Sequence, residues 1–235
     1  MFKNLKGCFI VLDGPDGSGK STQIKFLEEY LSKLGLEVVI TNDPGGTPIG
    51  DQIRHLLKYG AKSKMDVHTE LMLFMASRTQ LVADVILPAL KSHKVVLCDR
   101  FISATCAYQG AGDYDPKKVI DLAKFVIDDC WPDLTIILDL PVEEGRERTG
   151  HKRGQKTKKN HEDACQPYLP KFENATTDLF DSRTLEYHRK VRKIFQELPD
   201  YYPKPVKILD VSKMSPLEVH KKIIQAIASY FELKI

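Results

Sequence analysis

The run Gly14-Pro15-Asp16-Gly17-Ser18-Gly19-Lys20-Ser21-Thr22 fits G-x-x-x-x-G-K-[ST] without a gap. It lies between an apolar run, Cys8 to Leu12, and a helical pattern that starts near Lys20. A strand that delivers the chain to a glycine-rich turn, followed by a helix whose free N–H groups face the turn, makes a site for the phosphates of a nucleoside triphosphate. Gly14, Gly17 and Gly19 allow close backbone approach, Lys20 reaches the β and γ oxygens, and Ser21 offers its hydroxyl to Mg²⁺. A glycine-rich surface turn is the alternative reading, and both the flanks and the spacing argue against it.

Five apolar runs read as strands: Phe9 to Leu12, Glu37 to Thr41, Lys94 to Cys98, Leu134 to Leu140 and Val206 to Val211. Helical patterns separate them near Lys20 to Leu34, Pro48 to Leu57, Val67 to Leu90, Pro116 to Asp129, Arg183 to Glu197 and Pro216 to Phe231. Alternating strands and helices predict an α/β fold, a doubly wound five-stranded parallel sheet covered by helices on both faces. Continuous apolar stretches such as Val95-Val96-Leu97 suit strands buried on both sides. Ligands in such a sheet collect at the carboxyl ends of the strands, so Asp13, Asp16, Asp43, Asp99 and Arg100 are expected in one crevice.

The 235 residues read as one domain without repeats or a long linker. The net charge of +3 is too small to argue for nucleic acid. No continuous apolar span long enough for a bilayer stands out, and the start is too short for a secretory signal, so the expectation is a cytoplasmic protein without membrane attachment. Cysteines at 8, 98, 106, 130 and 165 form no C-x-x-C pair, which favours free thiols over disulfides or zinc.

Further motifs narrow the chemistry. Asp43-Pro44-Gly45-Gly46-Thr47 follows the second strand, with Arg54 two helical turns later; Phe74 and Arg78 share a helix face at i and i+4; and Asp99-Arg100-Phe101 closes the third strand ahead of Thr105 and Ala107-Tyr108-Gln109-Gly110. These ordered motifs, together with the phosphate loop, resemble the thymidylate kinase family of the bacterial type, over nearly the whole chain.

The resemblance implies a nucleoside monophosphate kinase fold, transfer of the ATP γ-phosphoryl group to dTMP with Mg²⁺, and a homodimer packed through helices. It assigns the loop Gly14 to Thr22 to ATP, and Asp16, Arg54, Phe74, Arg78, Arg100, Thr105, Tyr108 and Gln109 to dTMP. Arg54 and Arg100 would take the acceptor phosphate, for which guanidinium geometry is suited. Phe74 would stack on the base and Arg78 donate to a pyrimidine carbonyl. Asp16 would accept from the 3′-hydroxyl, and Tyr108 would crowd a 2′-hydroxyl. Asp99 would hold Mg²⁺ through water. Read as residues alone, Phe74 as core, Tyr108 as structural, Arg54 and Arg100 as surface ion pairs and Asp99 as a cap stay open. So do a kinase for another pyrimidine deoxynucleotide or nucleoside, and a non-catalytic nucleotide switch.

Three positions depart from the family pattern. Asn42 stands where relatives carry arginine, and Ala104 where they tend to carry serine. In the lid, Asp178-Leu179-Phe180-Asp181 puts leucine where an arginine closes on ATP. The region from 146 to 180 reads as an extended lid, and its basic run, Arg146 to Lys159, as a solvated loop. One of Arg148, Arg153 and Arg183 is expected to replace the lid arginine, with Arg153 foremost as a catalytic residue beside Lys20, Asp99 and Arg100.

Overall fold

The computed structural model describes residues 5–60, 65–150 and 183–233. Strands β1 (Phe9–Asp13), β2 (Val38–Asn42), β3 (Val95–Asp99), β4 (Leu134–Asp139) and β5 (Val206–Asp210) form one sheet in the order β2-β3-β1-β4-β5. All four pairings are parallel. The chain leaves β1 toward β3 and β2 on one side and returns past it to β4, so a crevice opens at the carboxyl ends of β1 and β3.

The strands alternate their side chains between two cores. Phe9, Val11, Val96, Cys98 and Ile137 face one; Ile10, Leu12, Val95, Leu97, Ile136 and Leu138 face the other. The second core is closed by α1 (Lys20–Lys33) and α9 (Pro216–Tyr230), whose apolar residues Ile24, Leu27, Leu31, Val219, Ile223 and Ile227 pack together. The first is closed by α3 (Val67–Leu81), α5 (Ile102–Ala111), α6 (Pro116–Val126) and α8 (Leu185–Glu197). Helix α2 (Pro48–Tyr59) packs on α3. Its start is set chemically: Thr47 accepts from the Gly50 N–H and Pro48 occupies the first turn. Ser215 and Glu218 form a capping box at α9.

The long helix expected from Val67 to Leu90 runs to Lys91 in three parts: α3, a π-turn at Val82–Ile86, and α4 (Leu87–Lys91). Pro88 lacks an N–H and crowds the carbonyl four residues back, so the widened turn accommodates it. By length and composition alone Val67–Lys91 would pass for a membrane span. Leu71, Met75, Leu81, Val82 and Ile86 are nevertheless buried in the first core, and so is the charged Arg78 beside them.

Two helices lie outside the sequence expectation. Nine of the ten residues of α5 are buried, polar ones included, so it shows no polar face and no 3.6-residue period. Helix α7 (Val142–Arg148) is too short for a period to be visible. It nonetheless carries the phosphate loop. A Cβ on Gly17 would strike the Gly145 carbonyl, and one on Gly145 would strike the carbonyl of Asp16. The loop and α7 thus meet backbone to backbone.

This contact yields a prediction opposite to the usual rule. Glycine to alanine inside a helix ordinarily stabilises by about 0.5–1 kcal/mol. Gly145→Ala is expected instead to destabilise by about 1–3 kcal/mol, because the obstacle is backbone and cannot rotate away. Denaturant unfolding reads this directly, and a stabilised variant would show that α7 does not press on the loop.

Candidate active site

The phosphate loop joins β1 to α1. Gly14, Gly17 and Gly19 have φ of 134°, 78° and 95°, the left-handed half of the map that glycine enters freely. A Cβ on Gly14 would also strike the Leu138 carbonyl, so β4 backs the turn. Lys20 is buried and folds over the loop, its Nζ donating to the carbonyls of Gly14 and Pro15 at 3.0 Å each. Burial depresses its pKa and Arg100 adds to this, against the pull of Asp16, Asp99 and Asp13. Ser21 Oγ donates to Asp99 Oδ2 at 2.9 Å, joining the loop to the end of β3.

Gly17, Gly19, Lys20, Ser21, Thr22, Asn42, Asp99 and Arg148 line a cavity of about 380 Å³ together with Asp16, Asp43, Arg54 and Arg100. Pro15 faces a small neighbouring hollow against α7. Ser18 is buried, its hydroxyl without a partner among the described residues. The hydroxyl and carboxylate of Ser21 and Asp99 are hard oxygens, a donor set that Mg²⁺ accepts when phosphate and water complete its shell. Among the described residues no three His, Cys, Asp or Glu side chains converge as metal ligands, so phosphates and water would have to supply the rest.

A second cavity, about 260 Å³, is lined by Pro44, Leu57, Lys58, Phe74, Arg78, Phe101, Ala104, Thr105, Tyr108 and Gln109, and again by Asp16, Asp43, Arg54 and Arg100. Those last four residues stand where the two cavities meet. All eight residues assigned by resemblance to dTMP therefore border one space. Arg54 reaches it from α2, with one nitrogen held by the Pro44 carbonyl at 2.8 Å.

Arg100 organises the junction. Its φ of 68° is left-handed, a strained conformation for a residue with a side chain. The guanidinium donates to Asp13 at 3.3 Å, the Gly14 carbonyl at 3.2 Å, Asp16 at 2.6 Å and the Tyr108 hydroxyl at 3.1 Å, and lies 4.9 Å from the Tyr108 ring centre. Burial works against its charge, but Tyr108, Asp16, Asp13 and Asp99 outweigh it, and its pKa stands well above the usual value. Burial would likewise raise Asp16, yet Arg100, Lys20 and the hydrogen bond from Tyr108 hold it down at about 2. Asp16 is thus ionised at neutral pH, able to accept from a sugar hydroxyl. Tyr108 donates to Asp16 at 2.9 Å, so its hydroxyl serves this network as well as facing the cavity.

Arg78 differs from its expected posture. It is 1% exposed; Nε donates to Asp43 at 2.6 Å, and the terminal nitrogens to Thr105 Oγ1 at 2.7 Å and Met75 Sδ at 3.2 Å. Most of its donors serve the protein, because a guanidinium so deeply buried requires a carboxylate partner. Phe74, 9% exposed, shares the cavity wall.

Two of the departures have a visible setting. Asn42 lines the phosphate cavity and donates to the Pro44 carbonyl at 2.8 Å, placing a neutral amide there. Ala104 lines the base cavity, while the neighbouring Ser103 turns away to donate to the buried Asp13 at 2.6 Å. Of the three arginines considered for the lid, Arg148 lines the phosphate cavity, paired with Glu144 at 2.6 Å. Arg183 is placed elsewhere: it donates to Glu70 at 3.1 Å and lies over the Tyr187 ring. Arg153 and the segment around Leu179 lie outside the described residues.

Sequence reasoning passed over Gly145, Ser103 and Glu70. Nothing in the order of residues marks the first two, whose partners come from distant segments. Glu70 did carry a signal, since Glu70, Phe74 and Arg78 recur every fourth residue along one face of α3.

The sequence profile described as thymidylate kinase matches residues 12–179. A thymidylate kinase of Halothermothrix orenii is 41% identical over 222 residues, 93% of this chain and 95% of that protein. One of Herpetosiphon aurantiacus is 39% identical over 206 residues, 86% and 87% of the two. The crystal structure of thymidylate kinase from Ehrlichia chaffeensis superposes with a TM-score of 0.68 at 29% identity, covering 94% of this chain and 98% of that one. With the phosphate loop, the five parallel strands and the paired cavities in the same molecule, this chain belongs to the thymidylate kinase family.

Proposed function

We propose that this chain transfers the γ-phosphoryl group of ATP to dTMP, giving dTDP and ADP. The observation that carries the reading is the pair of cavities, one beside the phosphate loop and one lined by Phe74 and Arg78, that meet at Asp16, Asp43, Arg54 and Arg100. A nucleotide switch has no use for a second, aromatic-walled cavity opening onto its γ-phosphate site.

The reaction needs placement and charge neutralisation more than covalent help. ATP phosphates lie along the N–H groups of the loop, with Lys20 at the β/γ bridge. Arg54 and Arg100 hold the phosphate of dTMP at the junction. An oxygen of that phosphate attacks the γ-phosphorus while the bond to the bridging oxygen breaks and ADP departs. Ser21 would hold Mg²⁺ directly and Asp99 through water. Bound there, Mg²⁺ supplies charge neutralisation at the β and γ oxygens. Asp16 orients the sugar through its 3′-hydroxyl, and the Tyr108 ring leaves little room for a 2′-hydroxyl.

Arg148 is the lid substitute best supported among the described residues, since it stands at the phosphate cavity on the helix that braces the loop. A cytoplasmic enzyme fits the buried thiols of Cys98, Cys106 and Cys130, which form no disulfide among the described residues and suit a reducing compartment. Exposed Met72 on α3 and Phe125 on α6, two helices in contact, support a homodimer joined through helices.

Four outcomes are expected. Lys20→Ala should lower turnover by about 10²-fold or more while leaving the fold intact. Calorimetric titration of dTMP without ATP should show binding to wild type and to this variant, whereas a nucleotide switch would bind no pyrimidine nucleotide. Among Arg148→Ala, Arg153→Ala and Arg183→Ala, assayed at saturating substrates, Arg148→Ala should give the large fall in kcat, on the order of the 10³-fold known for a missing phosphate-clamping arginine. Three near-neutral results would mean that no arginine replaces the lid residue. Sedimentation equilibrium should return twice the chain mass of 26.7 kDa, and Phe125→Asp with Met72→Asp should return the single mass.

A further inference from the structure

Two polar atoms on the wall of the base cavity are buried without a partner among the described residues, Asp43 Oδ1 and Gln109 Oε1, and the second belongs to a neutral amide. Gln109, 1% exposed and on the cavity wall, donates its amide N–H to Glu70 Oε1 at 2.6 Å, while its Oε1 is buried without a partner among the described residues. A buried acceptor left unpaired costs about 1–3 kcal/mol. Its orientation is not free. An ionised carboxylate only accepts, so the NH₂ end must face Glu70 and the oxygen must be the other end. Glu70 is itself held by Arg183, which donates to both carboxylate oxygens at 3.3 and 3.1 Å. The carboxylate side chain is 12% exposed.

Resting on the reading of this cavity as the pyrimidine site, we propose that Glu70 is a positioning residue that sets base choice. By accepting the Gln109 amide N–H, it presents Gln109 Oε1 as a fixed acceptor, and the ligand supplies the missing donor. Thymine joined to its sugar has a single N–H, at N3; the sugar's own donor, the 3′-hydroxyl, is matched by the ionised Asp16. Cytosine has no hydrogen at N3 and offers a lone pair there, which Gln109 Oε1 would repel. The pair Glu70–Gln109 therefore selects pyrimidine-2,4-diones over 4-aminopyrimidines. A glutamine at position 70 could donate as well as accept, and the Gln109 amide would be released to turn over.

The test is steady-state kinetics with dTMP and dCMP on the full chain and on Glu70→Gln, Gln109→Ala, their double variant and Phe74→Ala. Glu70→Gln should raise KM for dTMP about tenfold, with much smaller changes in kcat and in KM for ATP, and should narrow the preference for dTMP over dCMP. The double variant should be no worse than Gln109→Ala alone, since one residue acts through the other. Losses that multiply in the double variant, or a parallel rise of KM for ATP, would overturn the proposal. If Phe74→Ala raises KM for dTMP and Glu70→Gln does not, the role of Glu70 falls and the cavity stands. If neither moves it, the pyrimidine reading of the cavity falls and this proposal with it. Glu70→Asp, which keeps the charge one methylene short, carries the same comparison should the glutamine variant not fold.

Discussion

A partly buried guanidinium has to be matched by negative and dipolar partners from several directions, and Arg100 obtains them from residues 13–16, distant in sequence, and from Tyr108 on the helix that follows it. Asp13 comes from the end of β1, Asp16 and the Gly14 carbonyl from the phosphate loop, and the Tyr108 hydroxyl from α5. Withdrawing one partner would leave charge in a poorly solvated place at a cost of several kcal/mol. The left-handed backbone of Arg100 persists because these contacts over-determine it. The same node sets the chemistry, since it keeps Asp16 ionised and aims one cation at the point where the two cavities meet.

The loop is rigid for a different reason. It is pressed between β4 at Gly14 and α7 at Gly17, in contacts that leave no room for a Cβ. Lys20 then closes the loop from inside by bonding its carbonyls. Preorganised N–H groups do not have to be gathered when the phosphates arrive, which is how a site without a covalent catalyst lowers a barrier. α7 therefore links the loop to the region of Arg148, which faces the phosphate cavity from the same helix.

The acceptor side is built from α5, buried on nearly every side, and from the buried face of α3. Helix α3 supplies Glu70, Phe74 and Arg78 along one stripe, and α5 supplies Thr105, Tyr108 and Gln109. Each polar member is tied to another element: Arg78 to Asp43 after β2, Gln109 to α3, and Tyr108 to the loop. The pocket is consequently defined by ion pairs and hydrogen bonds in a low-dielectric setting, where geometry is strict and unpaired groups are costly.

The family resemblance assigned the residues of the base cavity, while the order of amino acids alone determined the strands, the phosphate loop and the parallel sheet. Those features depend on local periodicity, on glycine spacing and on the rule that ligands sit at strand ends, all of which are written along the chain. It did not disclose α5, because a helix buried on every side has no polar face to give a period, nor α7, which is too short to show one. Arg78 illustrates the same limit: its spacing put it on one helix face with Phe74 and the resemblance assigned it to the base pocket, but only the fold brought Asp43 and Thr105 within reach of its nitrogens. Likewise Arg148 and Arg183 are equivalent cations on paper, and only packing puts the first at the phosphate cavity and the second on Glu70. What tertiary structure decided was which donors remain free for a ligand, because a buried charge takes its partners from whatever segment the fold brings within about 3 Å.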